Sequence, residues 1–170
     1  MGRRTDKTAE KNGISKTNVM RILDQKKAKY EAHSYESTGA ISGNEVAAAL
    51  GQDERQVFKT LVASGHRGQQ YVFMVPVTGG LDLKKAAKAA GEKSIEMIKE
   101  KELLPLTGYV HGGCSPIGMK KPFPTFVDST AADYETIMFS AGKIGYQVQM
   151  GIGELAKAVS FTLADLRSED

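Results

Sequence analysis

The chain lacks the features that mark several common classes of protein. It has one cysteine among 170 residues, so no disulfide can form within it, and this fits a reducing compartment. No apolar run approaches the roughly 18 residues that a membrane span needs. Residues 1–16 are too polar for a secretory signal. We therefore expect a cytoplasmic protein.

Sequence signals for a metal or a nucleotide cofactor are also missing. The three histidines and the one cysteine show none of the usual spacings of metal ligands. The chain has no Walker loop and no dinucleotide-binding fingerprint. We therefore expect neither a metal nor a cofactor.

The excess of positive charge lies near the N-terminus. The net charge is +3, and residues 1–16 carry five basic and two acidic side chains, so the rest of the chain is neutral overall. Proteins that grip a long stretch of nucleic acid usually present a strongly basic face. A nucleic-acid ligand would therefore be held over a short contact, or with help from a partner protein. We interpret residues 1–16 as a flexible basic leader and residues 17–170 as one domain.

Hydrophobic periodicity and turn signals predict a mixed α/β domain. Thr17 is the expected N-cap of the first helix, and Ser42 with Glu45 forms a capping-box pattern before the second. Five helices are expected: one over 18–28, one that starts after Ser42, one that runs from a cap at Asp82 to Ala90, one over 94–102 and one over 153–159. Strands are expected over 30–35, 56–64, 70–77, 109–110, 125–128, 136–140 and 146–150. Strands interrupted by helices predict a mixed sheet with helical cover.

Lys59 is the sharpest local signal for a functional site. Alternation along its predicted strand places it on a face that it shares with Val57 and Leu61. The opposite face is apolar too, so both faces are expected to be covered. A buried ammonium is costly unless it meets an anion or loses its proton. Lys59 is therefore either a group that faces a ligand or a side chain that reaches water from a sheet edge.

A glycine-rich segment at residues 112–118 is the second signal. Three glycines and a proline in seven residues predict a loop whose backbone can approach a ligand closely. Backbone N–H groups of such loops can stabilise developing negative charge, although an ordinary tight connection has the same composition. Cys114 lies within this loop. A cysteine nucleophile with one of the three histidines as its base is a weaker alternative.

Taken together, these segments resemble the YbaK/EbsC family of Cys-tRNA(Pro) deacylases, which is related to the editing domain of prolyl-tRNA synthetase. The resemblance covers about residues 17–167. It rests on six segments in this order and spacing: VFKTL at 57–61, LDLKK at 81–85, TGY at 107–109, GGCSPIG at 112–118, PTFVD at 124–128 and SAGK at 140–143.

The resemblance implies a mixed α/β fold built round a curved, mostly antiparallel sheet or barrel with surrounding helices. It also implies an enzyme that acts in trans and releases a mischarged small amino acid, preferentially cysteine from Cys-tRNA(Pro). The mechanism that the resemblance implies is assisted by the substrate: the protein positions the ester, and the thiol of the substrate attacks the ester carbonyl. The implied partners are the acceptor end of tRNA(Pro) and prolyl-tRNA synthetase. A catalytically silent module that binds an aminoacyl group, a nucleotide or a protein is the alternative.

The resemblance also implies roles for individual residues. Lys59 would hold the terminal nucleotide or its phosphate, and the loop at 112–118 would position the ester. The chain departs from the family pattern at Ile144, where an arginine is common, and at Gln147, where an aspartate is. The segment before the second helix is also about two residues shorter, so the phenylalanine of the family falls near Ile41 or Ser42. These changes bear on which amino acid the pocket accepts. The implied catalytic residues are Lys59, Gly112, Gly113 and Ser115, and the implied substrate-binding residues are Tyr35, Ile41, Thr60, Gly118, Lys143 and Gln147.

Overall fold

The computed structural model describes residues 10–11, 14–40 and 42–168. Within the predicted leader, Glu10–Lys11 (β1) pairs in antiparallel fashion with Ile14–Ser15 (β2). The remaining residues before position 14 lie outside the described ones. The division into a flexible leader and a domain that begins at residue 17 therefore stays a prediction.

The rest of the described chain alternates between helices and strands, as the mixed α/β prediction requires. The helices are Asn18–Gln25 (α1), Gly43–Ala49 (α2), Leu83–Ala90 (α3), Glu100–Thr107 (α4) and Ile152–Leu155 (α5). The strands are Glu31–Ser34 (β3), Phe58–Gly65 (β4), Gln70–Pro76 (β5), Ile95–Met97 (β6), Thr125–Asp128 (β7), Ile137–Ser140 (β8), Tyr146–Met150 (β9) and Thr162–Ala164 (β10). Among the described residues, no helix is both long and apolar enough to cross a bilayer.

Local capping signals place the helix starts correctly. The Thr17 hydroxyl accepts a hydrogen bond from the N–H of Met20 at 3.3 Å, at the start of α1. Ser42 and Glu45 form the predicted capping box of α2, and Asp82 caps α3. These predictions are confirmed because each depends on side chains only a few residues apart.

Two predicted elements differ in type from the structure, and one strand was not predicted. The predicted helix over 94–102 is wrong in its first half, where β6 pairs with residues 63–65 at the end of β4. The predicted strand over 109–110 is a loop, because Gly108 ends α4 in a left-handed conformation with φ 88°. β10 was not predicted. β6 and β10 are short strands at the two edges of the five-stranded sheet. Pairing with a distant strand, rather than the local sequence pattern, decides that they are strands.

The strands form two principal sheets. One has five strands in the order β10-β7-β5-β4-β6, and the other has three in the order β3-β9-β8. β7 runs parallel to both of its neighbours, and the other strand pairs are antiparallel. The mostly antiparallel sheet is confirmed. The barrel alternative is wrong, since the described strands close no barrel.

The five-stranded sheet is covered on both faces. Val72 and Met74 of β5 pack into the main core, which also takes in α1 and the three-stranded sheet. Their neighbours Tyr71, Phe73 and Val75 pack on the other face, against α3. β4 divides in the same way, with its own side chains in both cores. The prediction that the lysine strand is covered on two faces is therefore confirmed.

A gap opens between the two sheets along one edge of β4. A single parallel bridge, Val57 to Met138, joins the start of β4 to β8, and β6 pairs only with residues 63–65. No described strand pairs with that edge at residues 58–61. The Val57 carbonyl accepts a 2.8 Å bond from the Val77 N–H, so odd-numbered residues bond towards β5. By alternation, the backbone N–H and C=O of Thr60 point into the gap.

Candidate functional site

The gap beside β4 is a cleft of about 510 Å³, a volume suited to a small ligand or the end of a larger one. The turn after β3, helix α2, strand β4 and the loop after α4 supply most of its walls, and β8 and β9 close it. One part of the lining is apolar, from Val46, Phe58 and Leu103. The remainder carries polar and charged groups, so the cleft suits a ligand of mixed character.

Lys59 lies half-buried in the wall of this cleft. Burial lowers the pKa of its ammonium group below the ordinary value of 10.5. Among the residues that the structure describes, Lys59 has no ion-pair or hydrogen-bond partner. A partly desolvated cation without a protein counter-ion is best satisfied by an anionic ligand.

Two polar atoms in the same cleft also have no partner within the described residues. They are the hydroxyl oxygen of Thr60 and the side-chain oxygen of Gln147, both buried. Gln147 is 6% exposed, and the neighbouring Tyr35 is 1% exposed. An unsatisfied buried polar group costs about 1–3 kcal/mol, and most such groups in folded proteins are paired. Both residues line the same cleft as Lys59, so a ligand bound there can supply hydrogen-bond partners to them.

Part of the glycine loop reaches the cleft. Gly112 lines it, with φ 88°, and the side chain of Ile144 packs against Gly112 from outside. The Gly113 N–H donates a 2.9 Å bond to the Val110 carbonyl, so it is already engaged. Ser115 of the same loop is fully buried and does not line the cleft, and its hydroxyl accepts a bond from the Ile117 N–H at 3.2 Å.

The remaining predicted residues lie elsewhere. Gly118 packs against Tyr109 and Ile22 beside α1. Lys143 lines a second, smaller cleft of about 230 Å³ together with Lys16, and its Nζ lies 5.2 Å from the centre of the Tyr146 ring. Ile41 lies outside the described residues. The structure thus brings together Tyr35, Lys59, Thr60, Gly112 and Gln147, and it places Gly113, Ser115, Gly118 and Lys143 apart from them. The roles of all these residues stay predictions.

Sequence reasoning missed Asn44 and Ser140 of the cleft wall, and it considered His111 only as a possible base for Cys114. The capping box located the start of α2, but nothing in the sequence indicated that α2 faces Lys59. Gly43 permits this approach, since a Cβ there would lie 2.2 Å from Cγ1 of Val77. Within the described part of the chain, no group of three or more His, Cys, Asp or Glu side chains is placed to hold a metal.

Cys114 is a buried free thiol in the cleft wall. Burial raises its pKa to about 12, although a hydrogen bond with Thr107 acts in the opposite direction. We expect iodoacetamide at pH 8 to alkylate native Cys114 roughly 10³-fold more slowly than an ordinary thiol of pKa ~8.5. Unfolded protein should react at the ordinary rate. Fast alkylation of the native protein, or loss of activity in Cys114→Ser, would restore the nucleophile hypothesis.

Comparison with known proteins identifies the class of this site. Residues 39–158 match the family described as the aminoacyl-tRNA editing domain. Because this match spans most of the chain, the chain belongs to that family. The family predicted from the sequence and its function class, aminoacyl-tRNA editing with tRNA as the partner, are confirmed.

Individual relatives narrow the comparison. The chain is 39% identical over 163 residues to EbsC of Enterococcus faecalis, a proposed Cys-tRNA(Pro)/Cys-tRNA(Cys) deacylase, covering 95% of this chain and 99% of that protein. It is 28% identical over 98 residues to a proline–tRNA ligase of Burkholderia orbicola, covering 56% of this chain and 17% of the ligase.

Solved structures share the fold. A proposed trans-editing enzyme for prolyl-tRNA synthetase superposes with a TM-score of 0.79 at 25% identity, over 91% of this chain and all of that one. The protein APE2540 superposes with a TM-score of 0.82 at 21% identity, over 89% of this chain and all of that one. The second likeness concerns the fold alone.

Proposed function

We propose that the protein removes a mischarged small amino acid, preferentially cysteine, from tRNA(Pro), acting in trans. The observation that carries this proposal is one cleft lined by Lys59, Thr60 and Gln147, whose side chains have no partner among the described residues. The ammonium of Lys59 suits a phosphate of the terminal nucleotide, and the two uncharged groups suit the aminoacyl ester. The near full-length similarity to EbsC supports cysteine and tRNA(Pro) as the substrate.

The chemistry that suits this cleft is attack by the substrate on itself. Cys114 holds its proton at neutral pH, and Ser115 is fully buried and does not line the cleft. The thiol sulfur of the esterified cysteine instead forms a bond to its own carbonyl carbon, and the bond from that carbon to the ribose oxygen breaks. The thiol proton passes to the ribose oxygen, so the products are a cyclic thioester and uncharged tRNA. The protein contributes by holding the ester in the reactive conformation.

The distribution of charge supports a limited contact with tRNA. The chain beyond residue 16 is neutral overall, which favours recognition of the acceptor end rather than of a long stretch of phosphate backbone. Prolyl-tRNA synthetase is the proposed source of selectivity for tRNA(Pro), and the cytoplasm the proposed location. Binding of isolated tRNA(Pro) should therefore be weak, with a shallow dependence on salt.

A panel of charged tRNAs tests the proposal. We expect the protein to deacylate Cys-tRNA(Pro) faster than Ala-tRNA(Pro) and Ser-tRNA(Pro), and to leave Pro-tRNA(Pro) intact, in an assay that follows loss of radiolabelled amino acid. Serine is the matched control, since its hydroxyl replaces the thiol at nearly the same size. Equal rates for alanine and cysteine would contradict attack by the thiol and implicate water. No turnover of any substrate would overturn the proposal in favour of a silent binding module.

A further inference from the structure

Within the part of the chain that the structure describes, the Gln147 amide makes no hydrogen bond. Gln147 pairs across the three-stranded sheet with Ser140 on one side and His33 on the other. The Ser140 hydroxyl accepts a 3.1 Å bond from the Gly142 N–H, and the His33 ring bonds to Gln149 at 2.8 Å. Neither neighbour bonds to the Gln147 amide, and its side-chain oxygen has no partner among the described residues.

Gln149 shows that this arrangement is particular to position 147. It lies two residues further along β9, on the same face of the sheet, and carries the same side chain. Its oxygen bonds to His33, and its nitrogen donates a 2.9 Å bond to the Thr136 hydroxyl. One strand therefore carries a glutamine that serves the structure and another whose amide is left for a ligand.

Thr60 approaches the same cleft from β4. Its hydroxyl has no partner among the described residues, and its backbone C=O points away from β5 into the gap by alternation. Thr60 and Gln147 thus line the cleft from two different sheets, and together they offer several hydrogen-bond acceptors.

We propose that Thr60 and Gln147 form a subsite that holds the free α-amino group of the aminoacyl ester, so that the cleft rejects N-acylated esters. This inference rests on the proposed function. An amino group brings two or three N–H donors, and a neutral amide oxygen accepts from both the amine and the ammonium form. An N-acyl group leaves one donor and adds bulk. Lys59 has no partner among the described residues and is therefore available to a phosphate.

The variants Gln147→Leu and Gln149→Leu form a matched pair for the test, assayed on Cys-tRNA(Pro) and N-acetyl-Cys-tRNA(Pro). We expect the wild type to prefer the free amine by about 10²-fold in kcat/KM, equivalent to two lost hydrogen bonds. Gln147→Leu should reduce this preference to a few-fold without lowering the Tm. Gln149→Leu should lower the Tm and keep the preference. An unchanged preference in Gln147→Leu overturns the subsite.

The 2′-hydroxyl of the terminal adenosine is another donor that could occupy the subsite. A second substrate distinguishes this hydroxyl from the α-amino group. We expect the change to a terminal 2′-deoxyadenosine in Cys-tRNA(Pro) to lower kcat/KM by the same factor in the wild type and in Gln147→Leu. If Gln147→Leu instead abolishes the effect of the deoxy substitution, the subsite holds the hydroxyl and the inference is overturned.

Binding measurements keep this inference separate from the proposed function. Calorimetry with 3′-cysteinylamino-adenosine, in which an amide replaces the ester, and with its N-acetyl form requires no turnover. Tighter binding of the free amine that depends on Gln147 supports the subsite even if deacylation of every charged tRNA fails. Equal binding of both forms overturns it even if deacylation succeeds.

Discussion

Lys59→Met should lower kcat/KM for deacylation of Cys-tRNA(Pro) by about 10²-fold, which corresponds to about 2.7 kcal/mol of lost transition-state binding. Methionine keeps most of the length of the side chain and removes the charge. Because Lys59 has no partner among the described residues, the substitution breaks no ion pair of the protein. The variant should therefore fold normally, with a Tm at or above that of the wild type, since a partly desolvated charge is gone.

The control for this experiment is a lysine that already has a partner. Lys157→Met removes the ammonium that pairs with Glu154 at 3.0 Å on the surface, and exposed pairs of this kind contribute little. We expect it to leave kcat/KM unchanged. Retention of activity within about twofold in Lys59→Met would overturn the anion-binding role of that lysine.

The dependence on pH follows from the same group. The pKa of Lys59 lies below 10.5 in the folded protein, so substrate binding that needs the ammonium should weaken as the pH rises through that lowered value. Lys59→Arg should move the decline to higher pH, because a guanidinium keeps its proton. The free energy of unfolding depends on pH in the opposite direction from substrate binding. The desolvation penalty is present below the folded-state pKa and is relieved as the pH rises towards 10.5, and Lys59→Met should lack this gain.

Asp128→Ala should lower the free energy of unfolding by about 3 kcal/mol. The Asp128 carboxylate is 0% exposed. It accepts a 2.9 Å bond from the Leu166 N–H and two bonds from Thr130, and it lies 3.5 Å from the Arg167 side chain. Alanine leaves these donors without a partner and releases the segment that carries β10. Urea denaturation measures the loss, and hydrogen exchange should show faster exchange over 162–168.

Asp165→Ala is the matched control from the same segment. The Asp165 carboxylate is mostly exposed and pairs with Lys85 at 3.2 Å, so its removal should change stability by no more than about 0.5 kcal/mol. Equal effects of the two variants would show that the buried carboxylate does not anchor the segment.

The sequence predicted the features that depend on neighbouring residues, and few of those that depend on contacts between distant segments. Thr17, Ser42 and Asp82 cap helices within three residues of themselves, so their roles were predictable. Alternation alone placed Lys59 on a strand covered on both faces. The β6 strand was mistaken for a helix, because its structure depends on the far end of β4.

The candidate site shows the same limit. Tyr35 directly follows β3, Gln147 lies on β9 of the second sheet, and only the resemblance to a known family pointed to them. Among the described residues the side-chain oxygen of Gln147 has no partner, while its neighbours Ser140 and His33 bond to other groups, and no sequence pattern expresses this. Asn44 gave no signal, and His111 was considered only as a base for Cys114, because the packing of α2 and of the loop after α4 decides their position in the cleft.

The single bridge between Val57 and Met138 has a consequence for how such a site can diverge. Lys59 and Thr60 are held by the hydrogen-bond ladder of one sheet, and Gln147 by the ladder of the other. A substitution in one wall therefore leaves the register of the opposite wall intact. Descendants of this chain can therefore exchange residues such as Gln147, and with them the contacts made to the aminoacyl group, while the register of the lysine strand stays the same.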